Sequence, residues 1–385
     1  MNKKLVYIMT IIISILLIAI GNKITTKDIK FFQNLNNENV VKAKVIDIQE
    51  RIEDNYKLGG TETIYKTDII FKAKILSKDR KNNEIIGIQN IDTLLAIQPD
   101  EIKVGDKVLI GDNPDKSSNI EWVFLEYVRS DALILLGFVF FIALILFGGI
   151  KGINTIISLT FTCLAIFMVF IPSILAGRNI YLWSIITCVF IIIMTLLIVN
   201  GAEKKSLAAG IGCFAGVFIS GTLTIIMDKI IKLTGMIDDE SMYLQMLNSD
   251  KTIDLKAIIF AAIIIGAIGA IMDVSMSISS ALMEVHEKSV NTSFKELFKS
   301  GINIGRDIMG TMANTLILAY IGSSLSVTLL LIAYNYSFIE LLNREMIIVE
   351  ILQALVGSLG ILLTIPLTSV VCACLYTDKK LKIIE

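Results

Sequence analysis

Seven residues recur at helical spacing along one stretch of the chain: Ala262, Gly266, Gly269, Asp273, Ser277, Ser280 and Glu284, at offsets of 4, 3, 4, 4, 3 and 4. Offsets of three and four put side chains on one face of a helix. The face is smooth at its first end and acidic or hydroxylated at its second. A carboxylate with hydroxyls a turn away can coordinate a cation, hold a proton or hydrogen-bond a polar solute. Asp273 falls about sixteen residues into an apolar run. A carboxyl at that depth in a bilayer costs roughly 2.5–3.5 kcal/mol on insertion scales, so it must meet a partner, a cavity or water. A fixed pair with Asn314, Arg306 or a helix N-terminus is the competing explanation.

A second polar row, Asn303, Asp307, Gly310 and Asn314, follows at offsets of 4, 3 and 4, with Arg306 beside it. Arg306 either neutralises Asp307 or pairs with Asp273 or Glu284, as a structural lock or as a gate. Just upstream, Phe294, Leu297, Phe298 and Ile302 alternate with Lys295, Glu296 and Lys299, the pattern of an amphipathic stretch on the cytoplasmic membrane surface. Other stripes are built for packing. Gly212, Gly216 and Ser220 repeat every four residues, and Gln353, Gly357, Gly360 and Thr364 follow at offsets of 4, 3 and 4. With Gly266 and Gly269, these glycines let helices approach closely. Pro366, just beyond, is expected to kink its helix.

Several chemistries are missing. The one histidine, His286, has no second histidine at metalloprotease spacing, and Cys372-x-Cys374 lacks the second ligand pair of a zinc site. All five cysteines, Cys163, Cys188, Cys213, Cys372 and Cys374, fall in apolar runs, so no disulfide framework is expected. Gly269-Ala-Ile-Met precedes Asp273 where an intramembrane aspartyl protease would need a Gly-x-Gly-Asp turn. Gly210 and Gly212 lie inside an apolar run with no preceding strand, so they make no phosphate loop. No enzyme, metal or cofactor is expected.

The elements that position these residues follow from composition. Of 385 residues, 54% are hydrophobic and 18% charged, where a soluble protein carries about a quarter charged. Mean hydropathy is +0.72. Charge-free runs of 26, 24 and 32 residues lie between Lys151 and Arg178, Arg178 and Glu203, and Asp307 and Glu340. About 20 apolar residues cross a bilayer as a helix. These runs exclude a soluble enzyme, a secreted disulfide scaffold and a nucleic-acid binder, and the net charge of −1 attracts no polyanion.

The chain is expected to be a polytopic α-helical membrane protein with about eight transmembrane helices, near 5–21, 132–150, 153–176, 180–200, 206–227, 257–281, 310–333 and 351–376. Residues 1–21 form an N-terminal anchor or, given Ala19-Ile20-Gly21, a signal peptide. Residues 22–131 form an extracytoplasmic β domain between helices one and two, 132–376 a seven-helix domain, and 377–385 a cytoplasmic tail. With both termini inside, twelve lysines and arginines fall in inner segments and six in short outer loops, as the positive-inside rule requires. Within 22–131, alternation at Val41, Ala43 and Val45, a β-rich run from Thr63 to Leu76, and turns at Gly59-Gly60, Lys81-Asn82-Asn83, Gly105-Asp106 and Asp112-Asn113-Pro114 suggest about five short strands and a small closed barrel, of the OB kind.

The runs Gly269-Ala-Ile-Met-Asp-Val-Ser-Met-Ser-Ile-Ser-Ser280 and Ser300-Gly-Ile-Asn-Ile-Gly-Arg-Asp-Ile-Met-Gly310, continuing to Tyr320, resemble the YibE/F family of bacterial multi-pass membrane proteins, over roughly residues 120–376. The resemblance implies this architecture and a bacterial cell membrane, and no substrate. Two functional expectations stand. One is a secondary transporter or permease moving a small solute or ion past Asp273, Ser277, Ser280, Glu284, Asp307 and Asn314, with Arg306 as gate or charge partner. The other is a scaffold or sensor whose β domain binds a protein partner or ligand. No internal repeat of the kind many transporters carry is visible. Substrate, direction, coupling ion and oligomeric state are not written in the residues.

Overall fold

The computed structural model describes residues 3–27, 40–58, 62–76, 82–92, 99–114, 120–247, 253–289 and 292–377. The turn at Gly59-Gly60, Lys81 and the tail from residue 378 onward lie outside these residues. The chain divides into two compact units, residues 32–143 and residues 1–31 with 144–385.

The first unit contains a closed five-stranded barrel: β1 (Val41–Leu58), β2 (Glu62–Ile75), β3 (Glu84–Asp92), β4 (Lys107–Asp112) and β5 (Trp122–Tyr127). They close in the order β1-β2-β3-β5-β4, antiparallel except for a short parallel pairing of β3 with β5. Alternate residues fill the interior, as the pleat demands. Ala43 and Val45 of β1, Ile69, Phe71, Ala73 and Ile75 of β2, and Val108 and Ile110 of β4 are all buried. Gly87 of β3 leaves room for the Phe71 ring, whose nearest atom would lie 2.7 Å from an added Cβ. Register shifts at Val45/Asp47 and Ile48/Glu50 let β1 bend around the barrel. The Gly105-Asp106 turn uses a positive φ of 101° at Gly105, and the Asp106 carboxylate accepts from the Lys103 amide at 2.8 Å. Outside the barrel, Arg51 donates to both oxygens of Glu101 (2.7 and 3.2 Å) and to Glu53. These bonds raise the Arg51 pKa, and the bond from Arg51 holds the Glu101 carboxyl below its ordinary value.

The remaining elements are helical: α1 (Lys3–Thr25), α2 (Ser130–Ala165), a π-turn (Ile166–Phe170), α3 (Ile171–Leu175), α4 (Ile180–Asn200), α5 (Lys204–Ile231), α6 (Asp239–Leu247), α7 (Leu255–Lys288), α8 (Phe294–Ser323), α9 (Leu325–Ala333), α10 (Phe338–Asn343) and α11 (Glu345–Thr377). Among the described residues, six helical runs are long and apolar enough to cross a membrane, or seven if α8 and α9 make one bent span. The expected spans at 132–150 and 153–176 fall in one helical run, Ser130–Leu175, interrupted by the non-helical Gly149 (φ 54°, ψ −129°). The expected span at 310–333 is interrupted after Ser323, with a 54° bend between α8 and α9. The Ser323 and Ser324 hydroxyls both donate to the Tyr320 carbonyl, at 2.9 and 3.0 Å, and so compete for it with the backbone.

The expected amphipathic stretch 294–302 has Leu297 buried and Lys295, Glu296 and Lys299 exposed. It is the first third of α8, opened by a Ser293–Glu296 capping box, and Leu297, Gly301 and Gly305 are buried in the helical unit. α11 runs through Pro366 without a break.

At the centre of this unit, α5, α7, α8 and α11 pack on one another, with α4 alongside α7. Ile264, Ile271, Ile278 and Leu282 of α7 interlock with Ile361, Ile365 and Cys372 of α11 and Cys213 and Val217 of α5. α1 joins on the side of α4, where Ile18 packs with Phe161, Met194 and Ile198, and Tyr7 donates to Asn154 at 2.9 Å.

Candidate functional site

α7 decides the site, because its two faces differ in kind. The face turned into the bundle is apolar except for two serines. The Ser275 hydroxyl lies 2.9 Å from that of Thr368 on α11. Ser279 donates to the Lys205 carbonyl at 2.6 Å and lies 2.7 Å from the Tyr376 hydroxyl. All four of these side chains are buried and each is bonded, whereas Ser206 on α5 and Ser358 on α11 are buried hydroxyls with no hydrogen bond among the described residues. His286 sits at the end of this network, its Nδ1 2.5 Å from Thr292 and its ring stacked on Tyr376.

The opposite face carries the row read from the sequence. Ala262, Gly266, Gly269, Asp273, Ser277 and Glu284 are exposed and Ser280 is half-buried. Asp273, Ser277 and Ser280 have no hydrogen-bond or ion-pair partner among the described residues. Glu284 pairs with Lys288 one turn on, at 2.6 Å, with both side chains well exposed. On α8, Asn303, Arg306, Asp307, Gly310 and Asn314 are likewise exposed, and Arg306 makes no ion pair with Asp273, Glu284 or Asp307. The two rows therefore stand on neighbouring helices, facing away from the core.

Contacts between the helices fix the relative depth of these groups. The Tyr320 hydroxyl sits over Gly266, Leu316 packs beside Ala267 against Gly357, and Gly301 lies against Leu282 and Ser369. Because α7 and α8 run in opposite directions, Asp273 stands level with the turn around Gly310. Arg306 stands one to two turns further toward the C-terminal end of α7, near Ser277 and Ser280, which is ~6–10 Å along the axis. Arg306, Gly310, Ala313, Ile317 and Tyr320 follow at offsets of 4, 3, 4 and 3. Since Tyr320 reaches over α7, Arg306 and Gly310 lie on the edge of α8 that borders the α7 row.

The glycines fall into two groups. A Cβ added at Gly212 would meet Thr368 Cβ at 2.9 Å and Ser275 Oγ at 3.0 Å; at Gly216 it would meet Ile271 at 3.0 Å and Thr364 Cβ at 3.3 Å. At Gly360 it would meet Ile271 at 3.0 Å and the Ser220 hydroxyl. These three make the close seam of α5, α7 and α11. Gly357 faces the tip of Leu316 and, at an ordinary 3.7 Å, Ala267 Cβ; Gly266 faces the Tyr320 hydroxyl, and Gly269 and Gly310 face nothing within 4 Å.

Sequence reading passed over two further features. One is the Ser275–Thr368 and Ser279–Tyr376 network. The Met-Ser-Ile-Ser-Ser run offers serines on both faces, and the ones in register with Asp273 drew the eye. The other is a cleft of about 260 Å³ between the first turns of α4 and α7 and the last turn of α5, lined by Tyr181, Thr224, Asp228, Lys256, Ile259 and Phe260 among others. There Lys256 Nζ stands 3.7 Å from a shielded Asp228 oxygen that has no hydrogen bond. Charges at helix ends read as ordinary loop polarity, so nothing in the sequence marked them. Among the described residues no group of three His, Cys, Asp or Glu could hold a metal ion.

A helical unit of membrane-length apolar helices, joined to a small β barrel and carrying unpaired polar residues on one helix pair, is the build of a membrane-embedded protein. No curated protein and no solved structure matches the chain. It belongs to the YibE/F-like protein family, whose sequence model matches residues 136–378 and so takes in both polar rows and the α5–α7–α11 seam.

Proposed function

We propose that the chain is an eight-span transporter of the bacterial cell membrane, with both termini in the cytoplasm and the barrel outside. In this reading a small solute or ion moves past Asp273, Ser277 and Ser280 on α7 and Asp307 and Asn314 on α8, with Arg306 as the countercharge. The observation that carries it is Asp273: an ionisable group in the inner part of an apolar helix, on an open face, with no hydrogen-bond or ion-pair partner among the described residues. Intramembrane ionisable residues mark ion and substrate pathways more often than not.

Two features support the span count. At Gly149 the chain doubles back so sharply that an added Cβ on Gly152 would strike the Leu144 carbonyl, eight residues earlier. A continuous helix would separate those residues by ~12 Å. The bent pair α8–α9 supplies a further span. Transport as read here differs from a path enclosed by helices five to eight, because the centre of the bundle is filled by packed isoleucines and paired hydroxyls.

The test uses the full chain in lipid vesicles, with proton, sodium, potassium and magnesium fluxes measured against Asp273→Asn. Flux lost in the variant, with thermal unfolding unchanged, supports the reading. Absence of any flux, together with a large loss of stability in Asp273→Asn, makes the carboxylate structural. The scaffold reading would then lead. It draws on the exposed Ile52 and Tyr65 of the β1–β2 hairpin, which offer a protein partner an apolar edge.

A further inference from the structure

We infer that the α7–α8 face is completed by a second copy of this chain, so that the polar row lies between two protomers and each copy's Asp273 is answered by the other's Arg306. The inference rests on the reading of that row as the functional site and says what closes it.

Three observations carry it. First, the face is open where a membrane tolerates openness least. Asp273, Arg306, Asp307 and Asn314 are exposed and without partners among the described residues, yet they belong to helices whose other faces are packed. Asp273 and Asn314 fall within the expected spans 257–281 and 310–333, where lipid offers neither hydrogen bonds nor counterions, and Arg306 and Asp307 stand just before the second span. Second, the face is shaped for a helix. Gly269 of α7 and Gly310 of α8 would carry a Cβ with nothing within 4 Å, and Ala262 and Gly266 continue the smooth strip, so another backbone can come close. Third, the charges are self-complementary. Asp273 and Arg306 flank the same groove, one to two turns apart. A two-fold axis normal to the membrane brings the same surface of a second copy against it with every residue at its own depth. An extended arginine side chain spans that offset, so two reciprocal Asp273–Arg306 pairs can form across the axis. Asp307 and Asn314 then line the space between the copies. A partner of different sequence would have to supply the same pairing in register, whereas a second copy supplies it automatically.

The experiment is oxidative cross-linking of the full chain in lipid vesicles, in a variant whose exposed Cys163 and Cys374 are replaced by alanine. Ser277→Cys tests the α7 row, and Phe218→Cys, on an exposed position of α5, is the control. The expected result is a product of twice the 42.5 kDa chain mass from Ser277→Cys and none from Phe218→Cys. In addition, Asp273→Asn and Arg306→Gln should each weaken self-association at least tenfold, and combining them should cost less than the product of the two. Equal cross-linking from both cysteines, a product of another mass, or a single-chain mass in vesicles would overturn the inference. Cross-linking without flux would refute the transport reading and leave the pairing standing. Flux from a single-chain particle would do the reverse.

Discussion

The division of the glycines is the sharpest test of the helix arrangement, because Gly→Ala adds the same methyl group at every site. At Gly212 the methyl would press on Thr368 Cβ at 2.9 Å and Ser275 Oγ at 3.0 Å. These are the two side chains joined by a 2.9 Å hydrogen bond, so relieving the clash also disturbs that bond. Overpacking typically costs about 1–3 kcal/mol, and a lost buried hydrogen bond about 0.5–1.5 kcal/mol more. Gly212→Ala should therefore destabilise by ~2–4 kcal/mol, and Gly216→Ala, against Ile271 and Thr364, by ~1–3 kcal/mol. Gly360→Ala should fall at the lower end of that range. Gly357→Ala and Gly266→Ala should cost less than ~1 kcal/mol, since a leucine tip or a tyrosine hydroxyl can swing aside. Gly269→Ala meets nothing and improves helix propensity, so it should be neutral or stabilising by up to about 1 kcal/mol. The assay is thermal unfolding in a detergent where light scattering shows single chains, so that contacts between copies do not enter. Equal losses at Gly212 and Gly269, or a loss above ~1 kcal/mol at Gly269, would mean that the α7 row is packed within the protomer. The exposed site would then be wrong.

Three further outcomes are expected. Glu345 accepts from the Thr234 amide (2.7 Å), the Thr234 hydroxyl (2.8 Å) and the Gly235 amide (2.6 Å), tying the end of α5 to the start of α11; Glu345→Ala should cost ~1–3 kcal/mol and speed amide exchange at Thr234 and Gly235. Because Arg51 lowers the Glu101 pKa, this pair stabilises the barrel above the unfolded carboxyl value of about 4.3, and the contribution is lost as pH falls through the lower folded value. Fluorescence of the buried Trp122, in a Trp183→Phe background, should show a smaller acid loss in Glu101→Gln. Finally, Ser275→Ala should lower thermal stability by ~1 kcal/mol and leave flux and self-association unchanged, whereas Ser277→Ala, two residues on, should do the opposite.

The barrel was legible because one face of each strand meets water, so alternation survives in the residues. Val41, Ala43 and Val45 against Lys42 and Lys44 already state which side is inside. The polar row of α7 was legible for a related reason: acidic, hydroxylated and glycine residues stand out in an apolar run. Where that row points was not. A soluble helix turns its apolar face to the core, but in lipid an isoleucine facing the bundle and one facing the bilayer are equally content. Ile271 and Ile193 look alike in sequence, yet one is fully buried and the other about half exposed. The bend after Ser323 was hidden because no proline or charge marks it, only two adjacent serines that also occur in unbroken helices.

Hydroxyls and charges are placed differently in the helical unit. Hydroxyls that can be satisfied by one another or by a carbonyl four residues back, such as Ser275, Ser279, Thr364 and Ser369, are inside. The Asp273 carboxylate and the Arg306 guanidinium are exposed, whereas Glu350 of α11 and Asp228 of α5 each keep a shielded oxygen with no hydrogen bond among the described residues. Hydroxyls are cheap to bury once bonded, and they add hydrogen bonds to helices already held by close glycine contacts. A charge is costly in hydrocarbon, so Asp273, which falls within the expected span 257–281, calls for a partner, water or an ion on its open face. A fold that needed Asp273 merely for stability would gain more by turning it inward against Arg306, as the neighbouring α8 would permit. Its outward position leaves the carboxylate open to an ion, to water or to another copy, and the Asp273→Asn flux and self-association measurements distinguish these from a purely structural role.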